Sequence, residues 1–362
     1  MQAVRTFLKR KGIEISLHRY GIDALGAMAQ GLFCSLLIGT ILDTLGTQLG
    51  LDFMVSVGGY ASAMSGPSMA IAIGYALKAP PLVLFSMATA GYAANALGST
   101  TLSGGQGAGG PLAVLFIAVI AAEFGKAVSK ETKIDILVTP LVTILVGVGL
   151  SAWLAPAIGT AATAVGSFVM LATDLQPFLM GIIVSVVIGI ALTLPISSAA
   201  ICAAFGLTGL AGGAAVAGCC ANMVGFAVLS FRENRWGGLV SQGLGTSMLQ
   251  MGNIVKNPRI WLPAILTSAI TGPLATCVFH FEMNDPSGGV ASGMGTCGLV
   301  GPIGVYAGWV ADVASGVKDA ITAMDWTAMA LICFILPGVL TWAFGLLLRR
   351  MGWIRPGDLT LE

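Results

Sequence analysis

Between Arg235 and Lys256 the chain carries no charge, yet Gln242, Thr246, Gln250, Asn253 and Asn257 recur at steps of four, four, three and four. On a continuous helix those steps gather five polar side chains within about 80° of arc, a single stripe on an otherwise apolar, glycine-rich rod. Around it lie charge-free runs at 24–42, 53–77, 79–122, 136–173, 175–231, 236–255, 286–311 and 326–348. A helix needs about 20 apolar residues to cross a bilayer. The pattern therefore predicts an all-α polytopic membrane protein of about ten transmembrane helices plus re-entrant hairpins.

In hydrocarbon, an amide without a hydrogen-bond partner costs several kcal/mol, so the stripe must face protein, water or a ligand. One reading is a solute or water path. The other is interhelical bonding that holds a bundle together, at roughly 0.6–2 kcal/mol per contact.

Composition narrows the class. Of 362 residues, 56% are hydrophobic and 9% charged, and mean hydropathy is +0.91, whereas soluble domains carry about 25% charged residues. The net charge is +1, and no basic, aromatic-interleaved patch points to nucleic acid. Cys34, Cys202, Cys219, Cys220, Cys277, Cys297 and Cys333 form no CxxC pair and read as small buried hydrophobes. With only His18 and His280 present, a histidine-rich metal site is excluded. No P-loop, GxSxG or HExxH pattern occurs in a suitable context, so neither a catalytic residue nor a cofactor is expected.

Basic residues set the expected topology. Arg5, Lys9, Arg10, Lys11 and Arg19 make residues 1–22 a cytoplasmic amphipathic segment. The loops then alternate: 43–52 outside, Lys78 inside, 98–110 outside, and 123–135, with Lys126, Lys130 and Lys133, inside. Residues 23–350 are expected to form one transmembrane domain and 351–362 a cytoplasmic tail. Within 196–230, two arms of about 16 residues reach only about 24 Å each, short of a ~30 Å core. That predicts short tilted helices or a re-entrant hairpin turning at Gly209, Gly212 and Gly213. If Lys256 and Arg259 share a side with Arg232 and Arg235, the striped segment enters and returns without crossing, and 286–311 dips in from the opposite face. A twelve-span alternative puts Lys256 and Arg259 outside.

Other polar groups in apolar surroundings are candidates. Thr193 to Ala200 reads TLPISSAA, a proline break followed by the hydroxyls of Ser197 and Ser198. Asn222 stands alone in an apolar run and needs a partner. Glu123 ends another apolar run one turn before Lys126; it can hold a solute hydroxyl or form a helix-end ion pair. Glycine-rich stretches at 103–111 and 287–302 share an opening Ser-Gly-Gly and a closing Gly-Pro, and Ser65-Gly66-Pro67 lies about 200 residues before Thr271-Gly272-Pro273. Such spacing suggests an internal, possible inverted repeat of the kind that places broken helices at a transport site.

The runs GGPLAVLFIAVIAAEFGKAVSKETKIDILVTP (109–140), TLPISSAAI (193–201), NMVGFAVLSFRENRWGGLVSQGLGTSMLQMGNIVKNPRIWLP (222–263) and GPIGVYAGW (301–309) carry a resemblance over residues 20–350. The chain resembles the IIC-type membrane permease of the bacterial phosphotransferase system, in its stand-alone, perfringolysin-regulator-like (PfoR-like) branch. The resemblance implies a homodimeric permease in the inner or plasma membrane, with re-entrant hairpins around the solute and a separate cytosolic IIB protein that phosphorylates a sugar as it arrives. No stretch matches the Gly-Ile-Thr-Glu-Pro motif of the glucose-type members, and a phosphoryl-carrying module is expected on another polypeptide.

The leading expectation is a carrier for a small polar, sugar-like solute working by alternating access. The solute is expected to meet Gln242, Thr246, Gln250, Asn253, Asn222, Ser197, Ser198 and Glu123, because neutral groups that both give and accept hydrogen bonds suit a polyhydroxy ligand. The alternative is a membrane-embedded sensor that binds the same solute without net transport.

Overall fold

The computed structural model describes residues 2–16, 18–105, 107–173, 175–284 and 289–361. Asp285 and the Ser287-Gly288 opening of the second glycine-rich stretch lie outside them, as does Gln106 in the first. Among the described residues the ordered elements are helices, and seven are long and apolar enough to cross a membrane: 19–47, 110–128, 135–173, 209–229, 258–278, 297–314 and 323–350. Shorter apolar helices, Pro177–Thr193 among them, accompany these.

The chain divides into two compact units, Met1–Ala162 and Thr163–Glu362. The first contains α1 (Gln2–Arg10), α2 (Ala24–Leu32), α3 (Ile38–Leu49), α4 (Asp52–Ala63), α5 (Ser65–Ala76), α6 (Pro81–Gly98), α7 (Gly110–Val128) and most of α8 (Asp135–Thr173). A π-helical turn at Phe33–Leu37 runs α2 into α3. Successive rods run up and down, and they touch where side chains vanish. A Cβ on Gly91 would lie 2.4 Å from Gly66 O, and one on Gly31 2.6 Å from Ser68 O. Without a hydrophobic drive between helices in lipid, this backbone approach is what gains dispersion energy.

One end of this unit is basic. Arg19 Nη2 donates to Leu77 O at 2.6 Å, and Lys126 Nζ donates to Gly12 O at 2.7 Å and Leu77 O at 3.0 Å. Arg10 and Lys11 pair with Glu131 at 2.7 and 2.5 Å, and Lys11 also donates to Ser129 O. Prolines at the first turns of α6 and α7 start those helices where an N–H would have no partner.

The second unit is built from broken segments. It holds α9 (Pro177–Thr193), α10 (Ser198–Ala204), α11 (Gly209–Leu229), α12 (Phe231–Val240), α13 (Met251–Lys256), α14 (Leu262–Pro273), α15 (Val300–Ala314), α16 (Ala323–Ala330) and α17 (Leu336–Arg350). Helix α11 is its axis. A Cβ on Gly218 would sit 1.9 Å from Ser185 O of α9, and Asn222 meets Ser268 of α14. On its far side α11 meets α17, where Gly225 lies against Thr341 and Gly345 against Leu229. These pairings make α9, α11 and α17 mutually parallel and α14 antiparallel to them.

Because α9 and α11 run the same way, the chain between them must fold back. It does so at Leu194-Pro195-Ile196, and α10 returns toward the start of α11, where Gly209 and Met283 exchange two backbone bonds of 3.0 Å. The chain then turns a second time between α10 and α11, where Gly206 and Gly209 have positive φ of 59° and 60°. Of the three glycines expected at the hairpin turn, Gly209 therefore lies at it, while Gly212 and Gly213 lie inside α11 and allow close approach: a Cβ on Gly213 would meet Phe281 O at 1.7 Å.

Two further segments enter the unit and leave by the end they came from. The first, 231–257, departs from the C-terminal end of α11. Glu233 there pairs with Arg349 of α17 at 2.9 Å, and Asn257 bonds Trp353 O at 2.9 Å, so Lys256 and Arg259 share an end with Arg232. The second, 289–314, comes from the opposite end, where Gly308 packs on Asn284. Of the two suggested repeats, Thr271-Gly272-Pro273 closes α14 whereas Ser65-Gly66-Pro67 opens α5. Only the Gly-Pro steps at Pro111 and Pro302 share a setting, the first turn of a helix.

Candidate functional site

The three fold-backs of the second unit meet at their tips. Thr193, at the end of α9, lies 2.8 Å from the hydroxyl of Ser247 in the first dip. Thr296, at the tip of the second dip, donates to Gly243 O of the first at 2.5 Å. At the base of the hairpin's turn, Ser198 donates to Gly293 O at 2.7 Å. Segments entering from opposite ends thus touch in the interior through hydroxyls and bare carbonyls.

Asn222 of α11 ties this junction to the helices. Its Oδ1 accepts from Trp261 Nε1 at 2.9 Å and Thr193 Oγ1 at 3.3 Å, and its Nδ2 donates to Gly218 O at 3.1 Å and Ser268 Oγ at 3.2 Å. Asn222, Thr193, Ser247, Ser268 and Thr296 have no exposed surface. Backbone freed by the breaks is met by side chains, as irregular backbone at membrane depth requires. Each of the polar side chains named here is bonded internally.

The stripe has a different geometry from the one its spacing suggests. Thr246 is extended (φ −158°, ψ 143°) and Asn257 is too (φ −141°, ψ 91°), so Gln242, Gln250 and Asn253 sit on a π turn, a 3-10 turn and α13, with Thr246 and Asn257 at the breaks, rather than all five on one helix. Asparagine and threonine at these points bond local backbone N–H groups: Thr246 accepts from Met248 N at 3.1 Å and Asn257 from Arg259 N at 3.3 Å.

Most of the stripe grips the C-terminal tail. Gln250 Nε2 donates to Leu359 O at 3.0 Å, Asn253 Nδ2 to Thr360 O at 2.9 Å, and Asn257 Nδ2 to Trp353 O and to Asp358 Oδ2 at 2.9 and 2.8 Å. Asn234 completes the clasp, donating to Leu359 O and accepting from Leu361 N. Side-chain amides also bond one another, Asn253 to Gln250 at 2.8 Å and Gln250 to Gln242 at 2.9 Å, and Gln242 reaches Ser230 at 2.8 Å. Leu359 and Ile354 are buried under this ladder, and the Arg259 guanidinium covers the Trp353 ring at 5.2 Å. Of the candidates from the sequence, Asn222 and Ser198 lie in or beside the junction, while Gln242, Gln250 and Asn253 join it to the tail.

Ser197 caps α10, accepting from Ala200 N at 3.2 Å. Glu123 belongs to the first unit and is engaged there: Oε2 pairs with Lys126 at 2.9 Å, and Oε1 accepts from Tyr20 at 3.0 Å. That is the helix-end ion pair foreseen as its alternative role. Sequence reasoning missed Thr193, Ser247, Ser268, Trp261 and Thr296. Thr193, Ser247, Trp261 and Thr296 each lie within two residues of a proline or a glycine, a signal that could have found them, whereas Ser268 lies inside α14 with no such neighbour.

Among the described residues no group of three or more His, Cys, Asp or Glu side chains is placed to hold a metal ion. No curated protein and no solved structure matches the chain. The family described as "Phosphotransferase system, EIIC" matches residues 22–361. That span takes in both units, all three fold-backs and the clasped tail, and the chain belongs to the membrane permease (EIIC) family of the phosphotransferase system.

Proposed function

We propose that the junction of tips holds a small polar, sugar-like solute and that the chain moves it by alternating access. The observation that carries this is the meeting of three separately broken segments, Thr193 with Ser247 and Thr296 with Gly243 O. Transporters bind at such breaks because half-helix ends and unwound carbonyls supply fixed dipoles inside the bilayer. Hydroxyl and amide groups around Asn222 match a polyhydroxy ligand, which needs donors and acceptors in equal measure. The basic ends, with Arg19 and Lys126 in one unit and Arg232 and Arg349 in the other, belong on the cytoplasmic side by the positive-inside rule. Both termini lie there with them, facing a separate cytosolic IIB protein, and two copies form the working permease.

The tail supports the second reading, a sensor. It rides on Gln250, which bonds Gln242, the neighbour of Gly243 at the junction, so movement of the tips reaches a cytoplasmic element. Proteoliposomes separate the two. A thermal-shift screen against sugars, sugar acids and polyols identifies a stabilising solute, and Thr193→Val should abolish its shift. Accumulation or exchange of that solute establishes the carrier; binding without either establishes the sensor. No shift with any polar solute, or a shift that Thr193→Val and Ser247→Ala leave intact, removes the junction as the site.

A further inference from the structure

Outside the junction, the second unit carries a long apolar groove between α11 and α17. Two hollows, about 380 and 280 Å³, share Val228 and Trp342 and so run on into each other. One is lined by Ile335, Gly338 and Val339; the other continues past Gly345 and Leu346 to Arg232 and Arg349. Glycines at 338 and 345 hollow the α17 wall. From Ile335 to Leu346 is 11 helical steps, or about 16 Å, close to half of a ~30 Å hydrocarbon core.

We propose that this groove seats one acyl chain of an anionic phospholipid, with its phosphate on Arg232. The charge pattern selects the headgroup. Arg349 is spent on Glu233 at 2.9 Å and on Leu229 O at 3.2 Å, and the other carboxylate of this end, Asp358, is held by Asn257 and Arg355 N in the tail. Arg232 lines the mouth and is exposed, and none of the ion pairs of the described residues takes it up. Arg235 and Arg350 are exposed beside it, leaving the mouth cationic overall. Phe231 stacks edge-on against Trp236 at 5.4 Å, and Trp236 and Trp342 are exposed, as aromatic side chains are where hydrocarbon meets headgroups. An apolar trough half a bilayer deep, closed by a free guanidinium, matches a lipid with a negative head and one tail in the trough.

Native mass spectrometry of the full chain in detergent, with equal phosphatidylglycerol and phosphatidylcholine, tests this. Wild type should retain phosphatidylglycerol several-fold over phosphatidylcholine. Arg232→Gln should weaken that retention about fivefold, the effect of one cation near the membrane surface, and Arg350→Gln, off the groove wall, by less. Val339→Trp, at an exposed position, should fill the trough and cut retention of both lipids. Equal retention of the two lipids, or no change in Arg232→Gln, overturns the proposal. So does a lipid-free dimer that Val339→Trp splits, which would make the groove an interface between copies.

Discussion

The two units solve the same problem in different ways. In Met1–Ala162, helices such as α5 and α6 keep their backbone bonds internal and touch through glycine, as at Gly66 and Gly91. In Thr163–Glu362, the backbone breaks at Leu194, Thr246 and Gly298, and side chains must satisfy what the breaks release. The first unit is held chiefly by fit, with its polar bonds gathered mainly at the basic end around Lys126 and Glu123, whereas the interior of the second is held by hydrogen bonds among side chains and freed carbonyls. Interior polar side chains therefore matter most in the second.

The largest effect should come from Asn222→Leu. It leaves the Trp261 N–H without its buried acceptor and removes the amide's bonds to Thr193, Gly218 O and Ser268, and an unpaired buried donor costs about 1–3 kcal/mol, less where relaxation finds substitutes. We expect a loss of about 2–4 kcal/mol in denaturant titrations of the micellar protein. A loss below ~1 kcal/mol would mean that the junction is not under strict hydrogen-bond control.

Next come paired glycines. Gly218→Ala and Gly91→Ala both push a Cβ into backbone, at 1.9 and 2.4 Å, and each should cost about 1–3 kcal/mol by overpacking. Only Gly218→Ala, beside Asn222, should also remove the solute-induced thermal shift. Equal effects on that shift would erase the distinction between the units.

Removing residues 353–362 should cost less, about 1–2 kcal/mol, because Asn234, Gln250, Asn253 and Asn257 lose the tail's carbonyls at an end where water can replace them. Hydrogen exchange should quicken across 241–257 and stay unchanged in 24–128. Unchanged exchange in the first dip would show that the clasp does not restrain it.

The smallest effect concerns the basic end of the first unit. A hydrogen bond from Lys11, backed by Arg10, holds the Glu131 carboxyl below its ordinary value of 4.5. A carboxyl depressed in the folded state stabilises it above the unfolded value, and that contribution fades as pH falls from about 4.5 through the lower folded value. As the pair is exposed, Glu131→Gln should shift the melting temperature slightly at pH 7 and not at all well below pH 4.

Much of this was legible beforehand. The long apolar runs gave the spans, whereas the basic residues left two topologies open for 236–259, and only the bond from Asn257 to Trp353 O places Arg259 at the same end as Arg232. Asn222 announced itself because a lone amide in an apolar run must find a partner. Ser247 and Thr296 did not, since small hydroxyls are common in glycine-rich membrane segments and a helix can absorb them by bonding its own carbonyls, as Thr267 does with Pro263 O. Glu123 and the stripe looked alike as polar groups in apolar sequence, and both turned out to be committed, one to Lys126 and the other chiefly to the tail.

By itself, the order of residues determined that the chain enters a membrane, where its helices lie and that its uncharged amides need partners, because desolvation acts on each group wherever it sits. Who those partners are was decided only by the tertiary fold. Leu359 O lies 109 positions from Gln250 and Thr296 lies 53 from Gly243, and no local period records such distances. A spacing of four describes one face only while the helix continues, and the extended backbone at Thr246 ends it.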